Sequence, residues 1–281
     1  MKVSHAMRLE QLIDTFNARF ARENALNISA LRYDGRQVQG RYGNLTFSSH
    51  LKPIRLYANP NQIVGHDTNP LVFKVSRSLE REEYPPNETM TDIVCLDRLG
   101  RTVHILNYLN LEHIEGYIFL HVHKQHVLVV KKDHGAYFEG IIRCCGLPVN
   151  RVVITLTLNP VYESQQSLLL KRLKTYRDRG YATAIQFDDQ ADSEYVERFR
   201  EHYLHELTPD FIRFPVGFFV PPFGLHDDSQ GDAKLLKDIR HANVRVLIEQ
   251  IHHLHEVEYL RKIQPDYVQG VWYDDQAFLS L

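Results

Sequence analysis

The sequence contains little of what marks several specialised classes of protein. It has three cysteines, an odd number, and Cys144 and Cys145 are adjacent, so no disulfide framework is predicted. It shows no signal peptide pattern and no apolar run long enough to span a membrane. Its 33 basic and 35 acidic residues leave a net charge of -2, which argues against a basic binder of nucleic acid polymers. We therefore expect a cytoplasmic protein with neither a membrane span nor a nucleic-acid partner.

A glycine-rich phosphate loop is also missing after the early strands, and what remains is a regular alternation of strands and helices. A chain of 281 residues with 43% hydrophobic residues suits one large domain with an extension. The number of strand and helix repeats favours a closed α/β barrel. Strands are predicted at 45–54, 62–64, 116–122, 151–157, 181–187, 210–214, 244–249 and 267–269, with helices at 90–109, 136–145 and between the later strands.

The first 44 residues do not follow this alternation. One apolar stripe at helical spacing predicts an amphipathic helix; its members are Leu9, Leu12, Ile13, Phe16 and Phe20. Two apolar stretches, 27–33 and 36–42, flank Asp34-Gly35, a dipeptide typical of a tight hairpin turn. We predict an extension over residues 1–44 and a barrel domain over 45–281. The helix packs either on its own barrel, which we expect, or on another chain.

Short motifs along the chain give a resemblance to a known family. The motifs are Lys52-Pro53-Ile54, Gln62-Ile63-Val64-Gly65, 85–88, Leu96-Asp97-Arg98, 119–123, 146–151, 209–213, Val246-Leu247-Ile248-Glu249 and 265–270. In order and spacing, over about residues 47–273, they resemble EAL domains, the cyclic di-GMP phosphodiesterase family. The resemblance implies an α/β fold, a modified TIM barrel whose site lies at the C-terminal ends of the strands.

The resemblance also implies a two-metal phosphodiesterase site, from which this chain departs. Enzymes of the family hold two divalent metals with strand-end carboxylates and an asparagine, and a lysine assists. The corresponding positions here are Asp67, His121, Thr155, Gln186, Phe187, Arg213, Glu249, His252 and Gln269. Only Glu249 and Gln269 keep the family's residue, and Asp188-Asp189 lie just beyond the expected aspartate pair. The sequence therefore predicts a degenerate site with no intact catalytic set, no metal and no cofactor.

These departures predict a regulatory protein without catalytic activity. We expect protein–protein interaction in bacterial cyclic di-GMP-related signalling or motility control, with a homodimer left open. Cyclic di-GMP should bind weakly or not at all, because Leu71 stands at the position of the family's phosphate-binding arginine. One alternative is a receptor that binds without hydrolysis through Arg213, Glu249 and Gln269. Another is a metal-dependent hydrolase that uses His121 and His123, two residues apart on one strand.

Overall fold

The structure is a computed structural model that describes residues 2–24, 30–43, 45–74, 90–111, 116–130, 135–220 and 229–274. Its helices are α1 Lys2–Asn24, α2 Met90–Leu109, α3 Lys124–Val129, α4 Ala136–Cys145, α5 Gln166–Arg177, α6 Ser193–His202, α7 Leu204–Leu207, α8 Ser229–His241 and α9 Leu254–Ile263. Its strands are β1 Leu31–Tyr33, β2 Val38–Tyr42, β3 Leu45–Leu56, β4 Asn59–Lys74, β5 Tyr117–His121, β6 Val152–Leu158, β7 Ala182–Phe187, β8 Phe211–Pro215, β9 Arg245–Glu249 and β10 Tyr267–Val268. None of the described helices has the length and apolar character needed to cross a bilayer.

Eight strands form a closed barrel, which confirms the predicted α/β barrel class. Their order is β3-β10-β9-β8-β7-β6-β5-β4, and pairing of β3 with β4 closes the ring. Neighbours from β4 round to β10 run parallel, whereas β3 is antiparallel to both β4 and β10. Strand–helix alternation is typical of a parallel sheet, but this sheet is mixed. Only two residues, Tyr57 and Ala58, separate β3 from β4, and so short a link joins antiparallel strands.

Strand β4 is much longer than the predicted strand at 62–64. It continues past Asp67 through Asn69 and Pro70 to Lys74 and pairs with β3 from Leu56 back to Leu45. Asparagine and proline are poor strand formers, and proline in a sheet is restricted to edges, bulges and strand starts, so the sequence predicts no continuation of this strand beyond residue 64. The motif at 85–88 and the beginning of the predicted strand at 27–33 lie outside the described residues.

The first elements join the barrel through β3. Strands β1 and β2 continue its sheet in antiparallel order, and α1 lies against β1 and α2. The stripe of α1 is buried, since Leu9, Ile13, Phe16 and Phe20 are 2–6% exposed and belong to the same apolar core as the barrel helices. The Arg8 guanidinium also donates to the Cys145 carbonyl at the end of α4. Helix α1 therefore packs on its own chain.

The inside of the barrel is filled by an apolar cluster. It comprises Ile54, Phe119, Val153, Ala182, Ala184, Phe211 and Leu247, and the rings of Phe119 and Phe211 meet edge to face with centroids 5.0 Å apart. Side chains alternate between the two faces of a strand, so the residue two positions further along points into the same interior. This apolar floor positions the polar residues at the open end of the barrel.

Candidate functional site

The polar side chains at the barrel mouth follow the same two-residue spacing on five neighbouring strands. A residue of the apolar floor is followed two positions later by a polar one: Phe119 by His121, Val153 by Thr155, Ala184 by Gln186, Phe211 by Arg213 and Leu247 by Glu249. Asp67 of β4 joins them from the strand that pairs with β5. Because these strands are parallel, their C-terminal ends meet, and six of the nine positions predicted from the sequence come together there.

Arg213 is the centre of this arrangement. Its guanidinium is 1% exposed and donates through Nη1 to Asp67 Oδ1 at 2.7 Å. On the other side, Nε and Nη2 donate to Glu249 Oε2 at 3.0 and 2.5 Å. The Arg213 guanidinium therefore lies between two buried carboxylates. We call this group of side chains the mouth cluster; it consists of Asp67, His121, Arg213 and Glu249.

His121 completes the environment of Asp67. Its Nε2 lies 3.0 Å from Asp67 Oδ1, and the Asn69 side-chain amide donates to Asp67 Oδ2 at 3.1 Å. Burial alone would raise the pKa of Asp67, but the charges of Arg213 and His121 and their hydrogen bonds hold it well below its usual range. Burial lowers the pKa of Arg213, and the two carboxylates outweigh it and raise that pKa above its ordinary value. Asp67 is ionised and Arg213 is charged at neutral pH.

The remaining oxygen of Glu249 is also engaged. Gln186 Nε2 donates to Glu249 Oε1 at 2.5 Å, and Thr157 Oγ1 donates to Gln186 Oε1 at 2.8 Å. Thr155 is fully buried, and its hydroxyl oxygen lies 3.4 Å from Arg213 Nη1. Both oxygens of Glu249 therefore accept hydrogen bonds from neighbouring side chains.

Three predicted positions lie apart from the mouth cluster. Phe187 points to the outer layer, because it follows Gln186 by one residue, and its ring stacks on Phe214 at 5.2 Å. Gln269 is buried, but its side-chain oxygen accepts from the backbone N–H of Gln250 at 3.5 Å, where the chain turns after β9. His252 is exposed on the loop that follows.

Sequence reasoning missed two polar residues near the cluster, Thr157 and Asn159. Thr157 lies two residues beyond Thr155 on the same face, so the period of two could have identified it. Asn159 donates to Asp188 Oδ2 at 2.6 Å, and Asp188 Oδ1 accepts from the Gln190 backbone N–H at 3.1 Å. Asp188, the first carboxylate beyond the expected pair, is thus tied into its own loop, a local contact that spacing alone does not reveal.

A cavity of about 330 Å³ adjoins the cluster between α2 and the tops of β4, β5 and β6. One wall includes His121, His123, Lys124 and Thr157. The wall formed by α2 combines apolar side chains with Asp97, Arg101 and His104. The Lys124 ammonium lies 3.9 Å from the centroid of the Tyr162 ring. Burial lowers the pKa of both His123 and Lys124. The cavity has room for part of a small ligand.

Comparison with known proteins identifies the fold. No family model and no curated protein sequence matches the chain. Among solved structures, PaMucR phosphodiesterase in complex with cyclic di-GMP superposes with a TM-score of 0.59 at 15% identity, covering 80% of this chain and 94% of that one. This is the fold of EAL domains.

Two further EAL structures agree. A standalone EAL protein from Vibrio cholerae O395, bound to cyclic di-GMP, gives a TM-score of 0.59 at 16% identity over 80% of this chain and 90% of its own. BlrP1 of Klebsiella pneumoniae, in a complex with calcium and cyclic di-GMP, gives 0.63 at 15% identity over 94% of this chain. The match covers 64% of that BlrP1 chain. At sequence identities this low, the superpositions establish the EAL fold alone, and function has to be argued from the site itself.

The side chains at the mouth of this EAL fold do not fit a pair of divalent metals. Such ions need several oxygen ligands with enough negative charge to offset their own. Here Asp67 and Glu249 already bind the Arg213 guanidinium, and Thr155 and Gln186 are neutral. Within the described ranges, no three His, Cys, Asp or Glu side chains are arranged to hold a metal ion. His121, one half of the His-x-His pair, is itself bonded to Asp67.

Proposed function

We propose that this protein is a catalytically inactive EAL-fold regulator that acts by binding another protein in bacterial cyclic di-GMP-related signalling or motility control. The observation that carries the proposal is the Arg213 guanidinium between Asp67 and Glu249. Phosphodiester hydrolysis by two metals requires carboxylates that are available to those metals. In this chain the retained carboxylates instead neutralise an internal cation, and the neighbouring strand ends supply neutral side chains.

Weak or absent binding of cyclic di-GMP follows from the same contacts. Phosphate recognition needs accessible positive charge, most effectively an arginine that can donate two hydrogen bonds. Arg213 is 1% exposed and donates to both carboxylates, so a phosphate would have to displace one of them. Leu71 occupies the position of the family's arginine and is 42% exposed on β4. No cation of the mouth cluster is thus left for a phosphate.

A receptor for cyclic di-GMP is the second candidate, and the adjoining cavity is what favours it. The cavity of about 330 Å³ is lined by Lys124, whose ammonium supplies positive charge, and by His123, whose imidazole can donate a hydrogen bond. Apolar side chains such as Leu96 and Val72 lie beside them, a combination that suits an anionic ligand with a flat ring. Neither residue belongs to the mouth cluster. A receptor of this kind would bind the nucleotide beside the cluster and would not hydrolyse it.

Hydrolysis and binding assays on the full chain separate these candidates. We expect no cleavage of cyclic di-GMP or of pGpG above the protein-free rate in Mg²⁺ or Mn²⁺, and weak or no binding of cyclic di-GMP in calorimetry. Protein-dependent turnover that Glu249→Ala abolishes would refute the inactive regulator. Low micromolar binding that is lost in His123→Ala but kept in the exposed His252→Ala control would establish the receptor instead.

For the protein partner we propose the outer helices as the contact surface. Val161, in the 3₁₀ turn that precedes α5, and Leu168, in the first turn of α5, are apolar yet 71% and 42% exposed. A photo-crosslinking residue at Leu168 should trap one defined partner in the native cell. The matched control is Ile63, which is 41% exposed on β4 and belongs to no helix. Equal trapping from both positions, or none from Leu168, would place the partner elsewhere.

A further inference from the structure

The mouth cluster combines two acidic groups and one basic group in an almost fully buried space. The side chains of Asp67, Arg213 and Glu249 are 6%, 1% and 4% exposed. Burying a carboxylate is strongly unfavourable unless a cation and hydrogen bonds accompany it. Within the cluster, Arg213 is the group that contacts both carboxylates, and its guanidinium carbon lies 5.4 Å from the centroid of the Phe119 ring. The folded barrel therefore depends on positive charge at this point.

Neighbouring side chains hold both carboxylates in place independently of Arg213. Gln186 donates to Glu249 Oε1, and His121 and Asn69 contact Asp67. Thr155 contributes a buried hydroxyl 3.4 Å from the guanidinium. A space bordered by two carboxylates and a hydroxyl would remain if the guanidinium were taken away. Carboxylate and hydroxyl oxygens are ligands that Mg²⁺, Mn²⁺ and Ca²⁺ accept.

We infer that Arg213 is a built-in cation that occupies the place of a divalent metal, and that removing its guanidinium exposes a latent metal site formed by Asp67, Glu249 and Thr155. The inference rests on the proposed lack of a catalytic metal and adds its physical cause. Arg213 carries its charge on the polypeptide at every accessible pH, so the natural protein needs no metal here. It also fills the space in which a metal would bind.

The test compares Mn²⁺ binding by the natural protein and by Arg213→Met, an unbranched apolar replacement. Electron paramagnetic resonance of free Mn²⁺ should show no uptake at the mouth of the natural protein and close to one ion per chain in Arg213→Met. Millimolar Mn²⁺ should raise the Tm of that variant by several degrees, because a ligand that binds only the folded state stabilises it. Adding Asp67→Asn to the variant should abolish both effects.

Arg245→Met is the matched control. Arg245 also lies inside the barrel, on β9 at the opposite end from the mouth, where its guanidinium donates to the Tyr117 hydroxyl at 3.0 Å. Its nearest carboxylate, Asp210, is 3.9 Å away and 35% exposed. Removing this guanidinium leaves no buried carboxylate behind. We expect Mn²⁺ to change neither the binding signal nor the Tm of this variant.

Two results would overturn the inference. One is Mn²⁺ uptake by the natural protein that Asp67→Asn abolishes, and the other is a folded Arg213→Met that takes up no Mn²⁺. If Arg213→Met does not fold, Arg213→Gln and refolding in Mn²⁺ replace it, and failure of Mn²⁺ to recover soluble protein from both variants counts against the inference. Hydrolysis by the natural protein would refute the proposed function itself, which is a separate measurement.

Discussion

At the scale of single residues, the mouth cluster shows how the stability of a buried charge depends on its partners. A buried ion pair contributes little net stability, but removing one partner is costly because the other charge stays buried and unpaired. Arg213 has two such partners, Asp67 and Glu249, so its loss leaves two uncompensated carboxylates. Its effect on stability should therefore depend on the protonation of those carboxylates.

Arg213→Met should lower the free energy of unfolding at pH 7 by ~3–5 kcal/mol, the usual cost of breaking a buried ion pair. In the natural protein Asp67 has a depressed pKa, so its contribution is complete above about pH 4 and is lost only in stronger acid. In the variant, burial without the guanidinium raises that pKa, and stability is lost as pH rises. Urea unfolding should show a smaller gap between the two proteins at pH 5 than at pH 7. Equal gaps would contradict this.

His104 provides a second residue-scale prediction. It is 7% exposed on α2, its Nδ1 lies 2.7 Å from the Ser49 hydroxyl, and burial followed by the nearby His121 lowers its pKa to about 4. Asp67 and Asp97 oppose that shift, and Arg101 adds to it. The unfolded chain takes up this proton below about pH 6.5, so stability declines as pH falls from there towards 4.

His104→Asn should flatten that decline. Asparagine can keep a hydrogen bond to Ser49 and cannot be protonated in this range. We expect its free energy of unfolding to vary less between pH 6.5 and 4 than that of the natural protein. The exposed His252→Asn serves as the control and should keep the natural slope. An unchanged slope in His104→Asn would show that other groups cause the acid sensitivity.

Several residues of the mouth could be predicted from sequence, but their bonds could not. Arg213 and Glu249 follow apolar strand residues at a period of two, which places them at the strand ends. Arg213 and Asp67 are 146 residues apart, and only closure of the barrel brings them within 2.7 Å. Phe187 shows the opposite case. Strand alternation turns it outward, although motif matching had aligned it with a carboxylate position.

At the scale of elements, α1 is a structural part of this chain. Its stripe is buried in the common core, and the Arg19 guanidinium lies 4.1 Å from the centroid of the Tyr137 ring on α4. Sequence predicted the helix and its apolar face from helical spacing. It did not predict α3, Lys124–Val129, because a six-residue helix with no side-chain cap at its start leaves almost no periodic signal.

Phe16→Ala should test how strongly α1 is anchored. Phe16 is 2% exposed, and truncation of a buried phenylalanine costs ~3–5 kcal/mol. Chemical denaturation should show a loss in this range. Asp14→Ala, an exposed change two residues earlier on the same helix, should alter stability by less than ~0.5 kcal/mol. Similar losses for the two variants would mean that the stripe is not the anchor.

Strand β1 lies at the end of the sheet, and Asn17 of α1 closes its edge. The Asn17 amide donates to the Leu31 carbonyl at 2.9 Å, and its oxygen accepts the Leu31 N–H at 2.8 Å, as a neighbouring strand would. Asn17→Ala removes both bonds, and we expect a loss of ~1–3 kcal/mol. Hydrogen exchange should show faster exchange at Leu31, whereas exposed Thr15→Ala should leave it unchanged. Retained protection at Leu31 would contradict this pairing role.

At the scale of the whole molecule, one apolar core runs from α1 to the last helical turn. It includes Phe16 of α1, buried residues from each of the described helices around the barrel, and Tyr273. The sequence predicted a division between residues 1–44 and 45–281 because helix and hairpin precede the strand–helix alternation. Contacts cross the boundary between these two segments, because β2 pairs with β3 and the Asn107 side chain of α2 bonds to Val38 of β2.

We therefore expect the chain to unfold as one unit, although it has the length of more than one small domain. Trp272 is the single tryptophan and lies just after β10, so its fluorescence reports on the barrel, whereas far-ultraviolet circular dichroism includes α1. The two signals should give coincident denaturation curves. Residues 45–281 alone should be less stable or aggregate, because β3 would lose its neighbour β2 and the Asn107 side chain would lose its two bonds to the Val38 backbone. Two separate transitions, or a truncated chain with the stability of the full one, would show that the extension is a domain of its own.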